Sequence, residues 1–113
     1  MHEVGIAQEI LRLIEENAAP QGPGKVLSAR IRVGALAGVE AESLRFALEV
    51  CGRGARAEGM AVQIIPVRAE VICKACGGRG PFEPGMTACA NCGSADLRLE
   101  GGRDLQLESF EME

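Results

Sequence analysis

Two pairs of cysteines restrict the possible folds of this chain more strongly than its composition does. Cys73 and Cys76 form one Cys-x-x-Cys pair, and Cys89 and Cys92 form a second pair after twelve intervening residues. A glycine directly follows each pair, which suits tight turns whose backbone N–H groups point at the sulfur atoms. Four thiolates at this spacing predict a closed tetrahedral site, and such sites usually hold structural zinc.

Other interpretations of the cysteines stay open at this point. A rubredoxin-like iron site uses the same two turns, and disulfides or a thioredoxin-type redox pair are a third possibility. A redox pair does not need an identical second pair so close in sequence. The fifth cysteine, Cys51, falls on the apolar face of a predicted helix, where we interpret it as a small buried apolar residue.

The size of the chain indicates how the cysteine segment is stabilised. The chain has 113 residues and 47% apolar residues, enough for one small core. The cysteine segment has no apolar periodicity and is too short to fold by apolar burial alone. We therefore predict a zinc-binding domain at residues 70–100. It is inserted between strands of an α/β domain that comprises residues 1–69 plus 101–113.

The apolar pattern outside this segment alternates between helical and strand periods. The predicted elements are a helix from Glu3 to Ala18, a strand from Lys25 to Val33, a helix from Glu40 to Cys51, a strand from Ala61 to Val67 and a closing strand from Asp104 to Met112. A short strand from Leu97 to Glu100, followed by a Gly101-Gly102 turn, is predicted before the closing strand. Pro66 indicates that the second strand lies at a sheet edge or ends there. The predicted fold class is α+β: two helices on a small three-stranded mixed sheet, with an inserted zinc-ribbon module.

The residue pattern predicts which residues of the first strand share a face, and it predicts an irregularity in the closing strand. The first strand alternates, and its apolar positions are expected to share one face: Leu27, Ala29, Ile31 and Val33. In the closing strand the apolar parity changes between Leu107 and Phe110. This change predicts a β-bulge near Glu108 and Ser109.

Charge and composition exclude several classes of function. Sixteen acidic residues outnumber twelve lysines and arginines, and only 3% of the residues are aromatic. This composition argues against nucleic-acid binding, which needs a basic face or stacking platforms. No apolar run approaches the ~20 residues of a membrane span, and the acidic start is unlike a signal peptide. We expect a cytoplasmic protein that is a monomer or a weak homodimer.

An enzymatic function is not expected. The chain has one histidine, no evident acid/base pair, no phosphate-binding loop and no open metal site.

The single histidine lies at position 2. One interpretation is a plain surface residue next to a helix. The other is a metal site, because the Met1 amine, the His2 amide and the His2 imidazole can close adjacent chelate rings on one ion. The Glu3 amide is a candidate fourth nitrogen, and four planar nitrogens suit Ni(II) or Cu(II) rather than zinc. The Glu3 carboxylate would offset part of the positive charge at the helix N-terminus.

Taken together, these features resemble those of a known family, the hydrogenase-maturation nickel metallochaperones (HypA/HybF). The resemblance covers essentially the whole chain. It rests on the following segments in order: Met1–Glu3, Val33–Gly34, Leu44–Glu49, Ala57–Met60, the two cysteine pairs, Gly102–Leu105 and Ser109–Glu111. It implies a protein that delivers nickel to the hydrogenase large subunit, and in some organisms to urease, together with a nickel-handling GTPase.

The same resemblance assigns the metal ligands. Met1, His2 and Glu3 match the family's nickel-binding start, and the four paired cysteines match its zinc ligands. Nickel would be transferred cargo, and zinc a structural ion. The chain departs from the family pattern at Ala90, where proline is frequent. It also has no second histidine, so a further nickel ligand must come from elsewhere. Glu40 is a candidate, although a helix-start acid is the simpler interpretation of that residue.

Two other functions remain as alternatives. One is a zinc-ribbon protein-interaction adaptor without nickel delivery. The other is a small redox protein with iron in the cysteine site.

Overall fold

The computed structural model describes residues 2–113. Its elements, in chain order, are α1 (His2–Ala18), a short 3-10 helix (Ala19–Gln21), β1 (Val26–Gly34), α2 (Ala41–Cys51), β2 (Ala61–Val67), β3 (Glu70–Cys73), β4 (Arg79–Pro81), β5 (Leu97–Glu100) and β6 (Leu105–Met112). The strands form two separate three-stranded sheets. The predicted helices and long strands are therefore confirmed, with shifts of at most one residue at their ends.

The first sheet has the strand order β2-β1-β6. The central strand β1 pairs in parallel with β2 and antiparallel with β6, so the sheet is mixed, as predicted. Its parallel pair is joined by α2, because parallel strands need a crossover connection. Pro66 lies in β2, which is an edge strand, where the missing N–H of proline is tolerated.

Both helices pack against this sheet and enclose the main core. Each helix contributes the apolar face that its period of 3.6 residues predicts. The fully buried members from the helices and the central strand are Ala7, Ile10, Ile14, Leu44, Leu48, Val26, Ala29 and Ile31. Burial of this face stabilises α1, since an isolated helix of this length is marginal in water. The predicted fold class, two helices on a three-stranded mixed sheet, is confirmed.

The face assignment of Leu27 is wrong. Its side chain is 51% exposed, whereas that of Val26 is 1% exposed. The pairing of β1 with β6 shifts register between Val26 and Ser28. Leu27 is the extra residue at this shift. Val26 therefore faces the core in its place, and Leu27 faces solvent.

The bulge predicted in the closing strand is confirmed. Arg30 pairs with Ser109, but the next residue of β1, Ile31, pairs with Leu107. Glu108 is the residue that the ladder skips. This irregularity lets Leu107 and Phe110 both pack against the core although their positions differ in parity.

The second sheet has the strand order β4-β3-β5 and is antiparallel. It lies within residues 70–100 and contributes no residue to the main core cluster. Val71 and Cys73 are its buried residues. The short strands β3 and β4 were not predicted, because three or four residues give too little periodicity to detect.

Two short connections join the sheets, and they pack tightly against each other. Gly102 has a φ of +73°, and a Cβ at this position would lie 2.7 Å from the Cβ of Ala69 in the other connection. The Gly102 carbonyl also accepts a hydrogen bond from the Leu36 N–H at 2.6 Å. Gly101 has a similar φ of +74°, but a Cβ there would meet nothing within 4 Å.

These neighbouring glycines allow a matched comparison. Gly101→Ala should destabilise the fold by about 1–2 kcal/mol, the cost of left-handed backbone for a residue with a Cβ. Gly102→Ala should cost a further ~1–3 kcal/mol, because the new methyl group overpacks the contact with Ala69. Urea unfolding followed by circular dichroism measures both free energies of unfolding. Equal losses in the two variants would contradict the close packing of the connections.

Candidate metal centres

The four cysteines of the two pairs converge at one end of the second sheet. Their sulfur atoms all lie within 4.8 Å of one another. The Cys73 and Cys92 sulfurs are 3.6 Å apart, and the Cys76 and Cys89 sulfurs are 3.8 Å apart. Four sulfurs held tetrahedrally at ~2.3 Å from a zinc ion would be roughly 3.8 Å apart. The donor set therefore fits a four-coordinate thiolate site, and its sulfurs are too far apart for disulfide bonds.

Each Cys-x-x-Cys pair forms a tight turn that directs backbone N–H groups at sulfur. The Cys76 and Gly78 N–H groups donate to the Cys73 and Cys76 sulfurs, respectively, at 3.4 Å. In the second pair the N–H groups of Asn91 and Cys92 donate to the Cys89 sulfur at 3.4 and 3.5 Å. The sequence-based prediction of such turns is confirmed.

The glycine after each pair closes its turn. The Gly77 N–H donates to the Cys73 carbonyl at 2.9 Å, and the Gly93 N–H donates to the Cys89 carbonyl at 2.8 Å. Both glycines have φ near +77° (+76° and +78°), a conformation that residues with a Cβ rarely adopt.

These hydrogen bonds favour thiolates at two of the four cysteines. The Gly78 N–H, assisted by the Asn91 side chain, lowers the pKa of the Cys76 thiol to about 6. The N–H groups of Cys92 and Asn91 lower the pKa of Cys89. At Cys92 the Ser94 N–H also acts to lower the pKa, but the neighbouring thiols and burial outweigh it and raise the pKa to about 12. Four thiolates this close repel one another, so a bound cation is needed to ionise them all.

One contributor to this site was not predicted. The side-chain amide of Asn91 lies 3.8 Å from the Cys76 sulfur, to which it donates. Its position between the two cysteines of the second pair is the only sequence signal that could have indicated this role.

Cys51 lies apart from this cluster. It is the last residue of α2, is partly buried and packs against the main core. The interpretation of Cys51 as a small apolar residue agrees with this position.

The amino-terminal residues occupy the start of α1. The helix begins at His2, and the first N–H groups of an α-helix have no partner within the helix. The His2 imidazole is exposed, with Nε2 2.8 Å from the Gly38 carbonyl oxygen and 3.0 Å from Glu3 Oε2. Glu3 is buried. Met1, the third residue of the predicted nickel site, lies outside the described residues.

Glu40 caps the second helix. Its carboxylate accepts a hydrogen bond from the Ser43 N–H at 2.5 Å. The Ser43 N–H is the main cause that lowers the pKa of Glu40. This geometry agrees with the interpretation of Glu40 as a helix-start acid. The backbone N–H of Glu40 also donates to Glu3 Oε2, at 3.4 Å.

Within residues 2–113, the four cysteines form the only group of three or more potential metal-binding side chains that are close together. A metal site at the amino terminus would therefore depend on backbone nitrogens as well as on side chains. No helix in the described part of the chain is long and apolar enough to span a membrane.

The fold and the cysteine cluster define a small α+β protein with four cysteines that could hold a metal ion at one end of its second sheet. The sequence profile of the family described as "Hydrogenase/urease nickel incorporation, metallochaperone, hypA" matches residues 1–112. The chain belongs to this family, the HypA nickel metallochaperones of hydrogenase maturation.

Individual relatives agree with this assignment. The chain is 39% identical over 112 residues to the hydrogenase maturation factor HypA of Rhodobacter capsulatus, with 99% of each chain covered. It is 36% identical over 113 residues to the HypA of Chlorobaculum tepidum, with both chains fully covered.

Solved structures share the fold. The solution structure of the Ni metallochaperone HypA from Helicobacter pylori matches with a TM-score of 0.65 at 20% identity, over 97% of this chain and 96% of that one. A second HypA solution structure matches with a TM-score of 0.69 at 22% identity, over 99% of this chain and 96% of that one. The identities are low, so these likenesses concern the fold alone.

Proposed function

We propose that this protein binds Ni(II) at its amino terminus and delivers it for the maturation of [NiFe]-hydrogenase, and of urease where the organism makes one. The nickel site comprises Met1, His2 and Glu3. The observation that carries the proposal is the position of His2, the sole histidine, at the first residue of α1. There its imidazole is exposed and its backbone N–H needs no partner inside the helix.

The donor set follows from the covalent connectivity of the chain. The Met1 amine and the His2 amide nitrogen close a five-membered ring on the ion, and the His2 amide and imidazole close a second ring beside it. Nitrogen donors in one plane suit Ni(II). The amine and imidazole then occupy both positions next to the His2 amide, so the Glu3 amide has no adjacent place in that plane. We assign Glu3 a role through its carboxylate, 3.0 Å from the imidazole.

We propose that the cysteine site holds zinc with a structural role. All four positions of the tetrahedron are filled by Cys73, Cys76, Cys89 and Cys92, so no position remains for water or a substrate. Zinc would supply the cohesion that the second sheet lacks, since no residue of that sheet belongs to the main core cluster. We further propose that residues 70–100 behave as one domain and that residues 1–69 plus 101–113 form the nickel-binding domain.

In this role the protein would be a carrier in the cytoplasm rather than a catalyst. Its partners would be a nickel-handling maturation GTPase, which prepares nickel transfer, and the hydrogenase large subunit, which receives the ion. The family match supports a role in hydrogenase maturation; these particular partners are part of the proposal.

Nickel titration of untagged protein with a mass-verified Met1 start tests nickel binding. We expect one equivalent of Ni(II) with the absorption of planar nitrogen coordination, in protein that already holds one colourless zinc per chain. Protein that holds zinc but binds no nickel would favour the adaptor alternative. A red protein with iron in the cysteine site would favour the redox alternative.

A further inference from the structure

The hydrogen bond of the His2 imidazole to the Gly38 carbonyl determines which ring nitrogen carries the proton. Nε2 lies 2.8 Å from the Gly38 carbonyl oxygen and 3.0 Å from Glu3 Oε2. A carbonyl and an ionised carboxylate can only accept hydrogen bonds. Nε2 must therefore be the N–H nitrogen of the neutral ring, and Nδ1 keeps its lone pair.

The Gly38 carbonyl is a well-anchored acceptor. The loop that contains it begins at the end of β1, where the Ala35 N–H donates to the Val67 carbonyl at 2.8 Å and the Leu36 N–H donates to the Gly102 carbonyl at 2.6 Å. The loop ends where Glu40 caps α2. Gly38 itself has a φ of +72°, so the direction of its carbonyl depends on a conformation that glycine adopts readily.

The Glu3 carboxylate lies beside the same ring nitrogen, and its burial is unusual. Among the described residues it is the one charged residue in the buried class, with 8% exposure. Its Oε2 also lies 3.4 Å from the Glu40 N–H. Buried carboxylates need such partners, and the His2 ring lies in close contact with the same oxygen, at 3.0 Å.

The chelate geometry makes the choice of ring nitrogen important. Nδ1 is bonded to the ring carbon that carries Cβ, so Nδ1 and the His2 amide nitrogen can close a six-membered ring on one ion. Nε2 lies on the far side of the ring and cannot bind the same ion in so small a ring. Metal-binding histidines commonly donate their other N–H to a carboxylate or a backbone carbonyl.

We propose that the Gly38 carbonyl and the Glu3 carboxylate are positioning groups that hold His2 in the Nε2–H tautomer and present Nδ1 to nickel. This inference rests on the proposed amino-terminal nickel site. It adds that the site is partly organised before nickel arrives, by a backbone carbonyl 36 residues away.

Nitrogen-15 NMR of the imidazole tests the first half of the inference without any nickel. The chain has one histidine, so protein labelled at histidine gives a single pair of ring signals. At a pH where the ring is neutral, we expect Nε2 to be protonated and Nδ1 to be unprotonated. A predominant Nδ1–H form, or an even mixture of the two tautomers, would overturn the inference and leave the proposed nickel site intact.

Addition of Ni(II) tests the second half. Planar nickel–nitrogen complexes are diamagnetic, so the ring signals should remain visible. We expect the Nδ1 signal to shift on binding while Nε2 keeps its proton. Nickel bound through Nε2 would overturn the inference alone, whereas wild-type protein that binds no nickel at this end would overturn the proposed function as well.

Variants of Glu3 separate a positioning role from a structural one. Glu3→Ala should increase the Nδ1–H population in the apo protein and lower nickel affinity about ten- to a hundredfold, the usual cost of losing such a partner. Glu3→Gln keeps an acceptor oxygen and should restore part of both. Zinc content and helical circular dichroism should be unchanged in both variants.

Glu42→Ala is the matched control. Glu42 is an exposed carboxylate in the first turn of α2, 3.8 Å from Arg45. Its replacement should leave the His2 tautomer and the nickel affinity unchanged. Equal effects of Glu3→Ala and Glu42→Ala would show that only local charge matters and would overturn the inference. An unaltered tautomer in Glu3→Ala would also count against it.

Discussion

Replacing Cys76 with serine is expected to abolish ordered structure between Glu70 and Ala95 while leaving α1 largely intact. The second sheet has little apolar burial of its own, and none of its residues belongs to the main core cluster. Structural zinc contributes roughly 10–16 kcal/mol of apparent binding free energy in modules of this kind. Loss of one thiolate therefore removes most of what holds the segment together.

Amide hydrogen exchange, read residue by residue, measures this loss. Protection should disappear in β3 and β4 and persist in α1 and in the first sheet. Cys51→Ser is the matched control, because Cys51 lies outside the four-cysteine cluster. A Cys76→Ser protein that still holds one equivalent of zinc at full affinity would show that the four-cysteine assignment is wrong.

Replacing His2 with alanine should remove nickel binding and leave zinc content and fold unchanged. The His2 side chain is 60% exposed, so its loss costs little packing. It supplies the sole imidazole of the chain. Loss of a group that only hydrogen-bonds to a metal ligand typically lowers metal affinity ten- to a hundredfold. His2 is proposed to be a ligand itself, so nickel affinity should fall by more than about a hundredfold.

Calorimetric titration of Ni(II) into the variant measures this effect, with zinc content determined on the same sample. Gln8→Ala is a suitable control, because Gln8 lies on the exposed face of α1. Unaltered nickel affinity in His2→Ala would count directly against the amino-terminal site.

Much of the fold could be predicted because its elements are long and regular. The helices present apolar residues at helical spacing. Pro66 alone was enough to predict that its strand lies at a sheet edge or ends there, and β2 is an edge strand. The reversal at Val26 and Leu27 could not be predicted. It depends on a register shift in the pairing with β6, and the alternation inside β1 contains no sign of a partner more than 80 residues away.

The two candidate metal centres also differ in how far local sequence specifies them. The cysteine site is encoded by local spacing, so its turns and its convergence of four sulfurs were predictable from short motifs. The surroundings of His2 depend on the packing of α1 beside the loop that precedes α2. The contact with Gly38 has no local signal, and the burial of Glu3 is unexpected for an acid in the first turn of a helix.

A one-residue extension tests the proposal that the free amino terminus is a nickel ligand. A glycine added before Met1 converts the Met1 amine to an amide and leaves every side chain in place. The new spacing still permits a planar chelate, so nickel binding alone does not decide the matter.

The decisive measurement is hydrogenase activity in cells that lack the native copy and produce the extended protein, with the added glycine confirmed by mass spectrometry. We expect the extended protein to keep its zinc but to fail to activate hydrogenase, while the unextended protein restores activity. Full activation by the extended protein would show that the free amine is not a required nickel ligand.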